Sequence, residues 1–271
     1  MTSTTGPAPT SILDHPTTSS EVPTRPRRGR RAAIAAAGVL ACALPTVFTI
    51  NISRMLLVGE LSDHRFHQAT GQGLVLFALW LVPLVGLLRA GWQGRRPASA
   101  LGVWHLAFVT TGVACAAVAP GGGTPFLVGV IAVTGALVWA VLPRRPRLRR
   151  RLQLHPVLAP VALLGAAVLL PYVADQLAAQ NAATSGHHAH NPHLFDMAWM
   201  SLSLVALAVL AAVLPSARRL GCWFALFTVA TGAAGLAFGE DASRSWTTLG
   251  VGALAGIGWA LTRRDRAETA S

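Results

Sequence analysis

Eight stretches of this chain are long and apolar enough to cross a bilayer, and no other feature limits its fold as tightly. They run over approximately 32–52, 71–90, 99–119, 124–142, 154–174, 196–214, 220–238 and 245–262. At ~1.5 Å rise per residue, each covers the ~30 Å of hydrocarbon in a membrane. Lipid supplies no hydrogen-bond partners, so a spanning segment must satisfy its backbone internally, as a helix. The sequence therefore predicts an all-α, polytopic membrane protein with eight transmembrane helices. Composition agrees. Of 271 residues, 53% are hydrophobic and 12% charged, with a mean hydropathy of +0.52. That charged share is about half of what a soluble domain carries.

The net charge of +12 would suit nucleic acid if it covered one surface. The basic residues instead cluster between apolar runs, as topology signals do. The expected partner is the lipid bilayer, with no nucleic acid. All 22 basic residues are arginine, a usage that fits a GC-rich bacterial gene. With the N-terminus placed inside, every arginine except Arg54, Arg65 and Arg244 falls on the cytoplasmic side. The outer segments carry Glu60, Asp63, Asp175, Asp196, Glu240 and Asp241 instead. This predicts a multi-pass protein of a bacterial plasma membrane with both termini cytoplasmic.

Residues 1–31, rich in Thr, Ser and Pro and ending in "RPRRGRR", read as a disordered basic cytoplasmic tail. The segment "VLAC" ending at Cys42 imitates a lipoprotein signal, but the apolar run continues through "ALPTVFTI". A retained first helix is the expectation. Cys42, Cys115 and Cys222 form no C-x-x-C pair and read as small packing residues.

The two halves of the chain resemble each other. "ALPTV" around Pro45 matches "LLPYV" around Pro171, and "SDHRFHQA" at 62–69 matches "NPHLFDMA" at 191–198. With one gap each, "GVWHLAFVTTG" at 102–112 matches "GCWFALFTVATG" at 221–232, and "VWAVLPRR" at 138–145 matches "GWALTRR" at 258–264. The expected organisation is a first four-helix repeat over 32–145, a basic linker over 146–153, a second repeat over 154–264 and a cytoplasmic tail over 265–271. An even number of helices per unit inserts both units the same way, so their pseudo-two-fold axis runs along the membrane normal. The matching prolines lie inside apolar helices near the outer ends, where a lost hydrogen bond kinks the chain and shapes each outer vestibule. Ser62 and Asn191 are expected N-caps, with Asp63 and Pro192 at the first helical positions.

Six of nine histidines fall on the outer side: His64, His67, His187, His188, His190 and His193. The repeat pairs His64 with His193 and His67 with Asp196, giving H-x-x-H in one half and H-x-x-D in the other. Residues three apart on a helix share a face. Should the two helix starts converge, three imidazoles and one carboxylate would suit tetrahedral Zn²⁺. Met197 and Met200 follow His193 on the same helical face. Thioether beside imidazole leans towards copper. The "HHAH" segment formed by His187, His188 and His190 reads as a capture arm. His105 and His155 are expected near the inner interface. So are the matched tryptophans Trp104 and Trp223, and Trp139 and Trp259, as membrane anchors.

Eight helices, parallel four-helix repeats and outer histidines resemble haem A synthase in architecture, and "DHRFHQA" resembles that family's acid-then-His-Arg segment. The resemblance implies haem held by paired histidines. The partner histidine that the family carries on the fourth helix of each unit is missing, since 124–142 and 245–262 contain no His. Other motifs carry little. "PGGGTP" at 120–125 lacks the lysine of a phosphate loop. Ionisable residues are scarce at mid-membrane, which disfavours a coupled transporter. The leading expectation is a membrane protein that binds copper or zinc at outward histidines. The alternatives are a haem-dependent membrane oxidoreductase and a non-catalytic scaffold or partner subunit with a pH-sensitive outer loop.

Overall fold

The structure, a computed structural model, describes residues 26–60, 64–148 and 151–268. Among them every regular element is helical. The chain runs α1 (Arg28–Val58), α2 (Arg65–Ala69), α3 (Leu74–Trp92), α4 (Ser99–Val118), α5 (Thr124–Val141), α6 (Leu158–Ala182), α7 (His187–His190), α8 (His193–Val213), α9 (Leu220–Ala237) and α10 (Ala242–Glu268). Seven spans are long and apolar enough to cross a membrane: α1, α2 with α3, α4, α5, α6, α8 and α9. A multi-pass membrane protein follows, with lipid as its surroundings. Exposed leucines, valines and phenylalanines such as Val39, Leu57, Phe126 and Leu163 are what a lipid-facing surface requires. Helix α10, over the last apolar run, is not among these seven and packs on α9 and α6. Four glycines (Gly250, Gly252, Gly256 and Gly258) and a Ser/Thr-rich start dilute its apolar character. This separates it from the other seven.

The packing order is the same in both halves of the chain. In the first, α3 and α5 each pack on α1 and α4. In the second, α8 and α10 each pack on α6 and α9. Helix α1 continues unbroken through Cys42, and Pro45 and Pro171 lie inside α1 and α6. Each proline is flanked by residues that line a cavity: Leu44 and Phe48 in one case, Leu169 and Tyr172 in the other.

The centre of the molecule is α8. His193, Phe195, Met197 and Met200 on its first two turns have no exposed surface. It packs on α6 and α9 of its own half and on α4 and α3 of the other. Two glycines of the first half let it come close. A Cβ on Gly112 would lie 2.6 Å from the indole of Trp199. One on Gly71 would lie 2.5 Å from Met197 Sδ and 2.6 Å from Met197 Cα. No side chain fits in either place.

The second span does not start as a plain helix. Helix α2 is a short piece, and the chain turns at Thr70–Gly73 before α3 begins. Gly73 lies so close to the Gln68 carbonyl that a Cβ there would overlap it. The continuous helix expected from Asp63 onward is therefore an elbow. The Ser62 cap and the Asp63 first-turn position lie outside the described residues. In the second half α8 starts at His193, with Pro192 in the cap position. Asn191 does not cap it. Its Oδ1 accepts a hydrogen bond from Gln72 Nε2 of the first half at 3.3 Å.

Three of the residues expected near the inner interface, Trp104, His105 and His155, have buried side chains. Trp104 is buried, with its ring centroid 5.3 Å from that of Trp223. His105 is buried and accepts the Trp139 indole N–H at 3.2 Å. His155 is buried, and its Nδ1 accepts the N–H groups of Val157 and Leu158 at the start of α6. All three bury an aromatic ring and find it a packing or hydrogen-bond partner. The three arginines that break the charge rule also have local partners. Arg54 pairs with Glu60 at 3.3 Å, Arg65 donates to the Leu56 carbonyl at 3.2 Å, and Arg244 lies 5.0 Å from the Tyr172 ring centroid.

The elbow contact makes a prediction. Gly71→Ala overpacks against Met197 and should cost ~1–3 kcal/mol. Gly129→Ala, with nothing within 4 Å of the added carbon, should cost nothing. Thermal unfolding of both variants in detergent checks this, and equal midpoints would refute it.

Candidate metal centre

The elbow and the start of α8 bring three histidines together. His64 stands in the cap position of α2, and His67 lies one turn later. His193 opens α8 and is completely buried. One ligand nitrogen from each lies within 4.8 Å of the others. The ring centroids are 5.2 Å apart for His64–His193, 5.3 Å for His67–His193 and 5.9 Å for His64–His67. The two residues that the halves place at equivalent positions, His64 and His193, thus face each other directly.

A fourth imidazole stands beside them. His188, in the short α7, has its ring centroid 4.4 Å from His193 and 6.1 Å from His64. Gln180, near the end of α6 and almost fully buried, holds that segment in place. Its Nε2 donates to the His188 carbonyl at 2.9 Å, and its Oε1 accepts the backbone N–H of Phe195 at 3.3 Å. One amide therefore joins α6, the histidine segment and the first turn of α8. Nothing in the residue-type pattern singles out Gln180. The only sequence clue is a polar side chain at the end of an apolar helix, two turns past Pro171.

The remaining expected ligands are placed differently. His190 is exposed, and the side chain of His187 lies outside the described residues. Asp196 does not join the cluster. It lines a separate cavity of about 320 Å³ between α1, α3, α5 and α8, and its buried Oδ1 has no hydrogen-bond partner among the described residues. His67 and Asp196, matched in the sequence, thus line different places. Met197 is turned to the elbow, its Sδ accepting from Thr70 Oγ1 and from the Gly71 N–H, each at 3.3 Å. Its thioether is thus occupied with packing. Met200 is likewise buried in the core.

Chemically the cluster offers several imidazole nitrogen donors of borderline softness, from three separate chain segments, in a partly shielded place. Such a set takes Zn²⁺, Cu²⁺ or a related ion. Three histidines also leave a coordination position for a fourth donor, for which His188 stands closest. His67 Nδ1 is buried and has no hydrogen-bond partner among the described residues. An orphan nitrogen in a polar cluster is what an ion would satisfy.

No protein-family model, curated protein or solved structure matches this chain.

The Gln180 clamp is testable. Gln180→Ala leaves the buried Phe195 N–H without its acceptor, a loss of about 1–3 kcal/mol, and releases His188. Hydrogen exchange over 187–195 should speed up while α9 is unchanged. Unaltered exchange at 187–195 would count against the clamp.

Proposed function

We propose that this protein binds a transition-metal ion, copper or zinc, at the end of a membrane bundle, through His64, His67 and His193 with His188 as the fourth donor. The observation that carries the reading is the convergence of His64, His67 and His193, from two distant parts of the chain, with ligand nitrogens within 4.8 Å of each other. A tetrahedral ion with ~2.0–2.1 Å bonds needs nitrogens roughly 3.3 Å apart. Small side-chain rotations would draw the rings in to that distance. The short His187–His190 helix beside the site suits capture of an ion from outside, with His190 exposed as an early contact. Such a protein would sense, carry or use the ion at the membrane surface.

The wider setting is part of the same proposal. The bundle is two tandem four-helix units in a bacterial plasma membrane, with α10 as the eighth span, both termini cytoplasmic and the histidines outside. Three observations support the repeat. The packing order of the helices is the same in both halves. The residue next to each matching proline, Leu44 or Tyr172, lines a cavity. Two matched pairs, His64–His193 and Trp104–Trp223, touch each other. Residues related by a two-fold operation can touch only near its axis. The arginine clusters on the loops opposite the histidines support the orientation.

Two experiments decide these points. Detergent-purified protein, supplied with copper or zinc and desalted, should retain about one ion per chain by elemental analysis. His64→Ala/His193→Ala should retain at least tenfold less. Only unprotonated imidazole ligates a metal, so the ion should be held at neutral pH and released in acid. No retained copper or zinc, or equal retention by the double variant, would sink the proposal. For the topology, reporters fused to the two ends should both read as cytoplasmic. One cytoplasmic and one external end would remove α10 as a span.

A further inference from the structure

The cavity that Asp196 faces has a composition of its own. Its walls are apolar and aromatic, with Phe48, Phe77, Trp80 and Trp199 around it, and Leu44, Leu76 and Ile131 filling the sides. Its polar lining consists of Asn51, Gln72, Asn191 and the carboxyl of Asp196. No basic side chain lines it among the described residues. This is notable in a chain of net charge +12. Two of its lining residues also bury polar atoms that have no partner among the described residues: Asp196 Oδ1 and Trp80 Nε1. Gln72 and Asn191 are engaged with each other at 3.3 Å. Asn51 makes only a long contact with Met55 Sδ at 3.6 Å. Native proteins leave few buried polar atoms unsatisfied, and those they leave often await a ligand.

The aromatic walls are held firmly. Trp199 is anchored by its indole N–H to the Phe108 carbonyl at 2.8 Å, and its ring stacks on Phe108 at 4.6 Å. Trp80 stacks on the same Phe108 at 6.4 Å. Phe48 and Phe77 meet at 5.9 Å. The indole N–H of Trp199 is already used, so the ring offers the cavity its carbon surface. Aromatic faces with one carboxylate, and no cation to neutralise it, attract a weakly hydrated positive charge. The volume of about 320 Å³ is at the lower end of small-molecule sites.

We infer that this cavity is a binding site for an organic cation with an apolar body, an amine or quaternary ammonium whose charge pairs with Asp196 and whose body lies against the aromatic walls. A bare metal ion would be held there by one carboxylate and a few amides and would leave the aromatic walls unused. An anion would meet the carboxylate unfavourably. The site is distinct from the histidine cluster: Asp196 lies one turn past His193, and it faces α1 and α5 rather than α2. The inference does not rest on metal binding.

Tetraphenylphosphonium, a lipophilic cation, serves as the probe, measured by equilibrium dialysis on full-length protein in a neutral detergent, with protein-free micelles as background. Saturable binding near one per chain is expected. Asp196→Asn, which keeps the shape and removes the charge, should weaken it at least tenfold. His64→Ala/His193→Ala should bind as wild type does, which separates this outcome from that of the metal site. Tetraphenylborate, of the same shape and opposite charge, should neither bind nor compete. Gel filtration reports whether Asp196→Asn is folded. If it is not, the contrast between the two probes on wild type decides alone. Non-saturable uptake, equal binding by folded Asp196→Asn, or competition by tetraphenylborate would each overturn the inference.

Discussion

The seating of α8 against two glycines is the contact on which the rest of the molecule depends. A helix in lipid gains nothing from hiding apolar surface, because the lipid is as apolar as its neighbours. Helices associate through close packing and a few hydrogen bonds. Gly71 and Gly112 supply that closeness. Met197 rests against the backbone of one and Trp199 against the other. Once Met197 is seated, Thr70 and Gly71 hydrogen-bond its sulfur, and the first turn of α8 is fixed beside α2. The histidines meet because this contact exists. His64 and His67 arrive on the elbow, His193 on the helix pressed against it, and Gln180 ties the His188 segment to the same turn.

The helices were legible from the sequence because lipid leaves an apolar chain no other choice. The elbow at Thr70–Gly73 was less so. The segment "TGQG" carries two glycines, but the apolar run that follows reads as a helix from its first residue. Side-chain direction was the weakest point. Matching "SDHRFHQA" to "NPHLFDMA" correctly set His64 opposite His193, since both stand at the entry to their elements. It set Asp196 beside the histidines as well, where the structure does not place it. Matching two segments in sequence does not by itself fix which neighbours each side chain meets. Trp104 and Trp223 were read as interfacial anchors from their distance to a helix end. Their ring-to-ring contact needs both halves in place, which no local window contains. The same limit applies to Gln180, whose role depends on Phe195 and His188 arriving beside it.

The cavities show how a shared frame admits different contents. Each half has a cavity beside its proline, yet the lining differs. The cavity of the first half is large, aromatic and acidic. That of the second is about 50 Å³ and carries Glu240, Asp241 and Arg244, both signs of charge, at its edge. Each is also closed by a residue from the opposite half: Asp196 and Trp199 in the first, Phe66 in the second. Neither half is complete alone.

On the proposed repeat, packing near its two-fold axis accounts for which matched residues differ. Two symmetry-related positions close to the axis compete for one volume, so two large side chains collide and two small ones leave a void. Both cost stability. The matched positions behave accordingly. Thr70 and Gly71 of the first half correspond to Trp199 and Met200 of the second. The small pair lies where the bulk of α8 arrives, Met197 against Gly71 and Trp199 against Gly112. Gln68 corresponds to Met197 and has turned to the Glu60 carbonyl at 3.2 Å, which frees the space that the methionine takes. Two matched pairs stay large and identical although they meet: His64 and His193 at 5.2 Å, and Trp104 and Trp223 at 5.3 Å. The tryptophans meet through ring packing. The imidazoles meet through nitrogen donors, and on the proposed reading the ion would be the group that both parts of the chain hold in common.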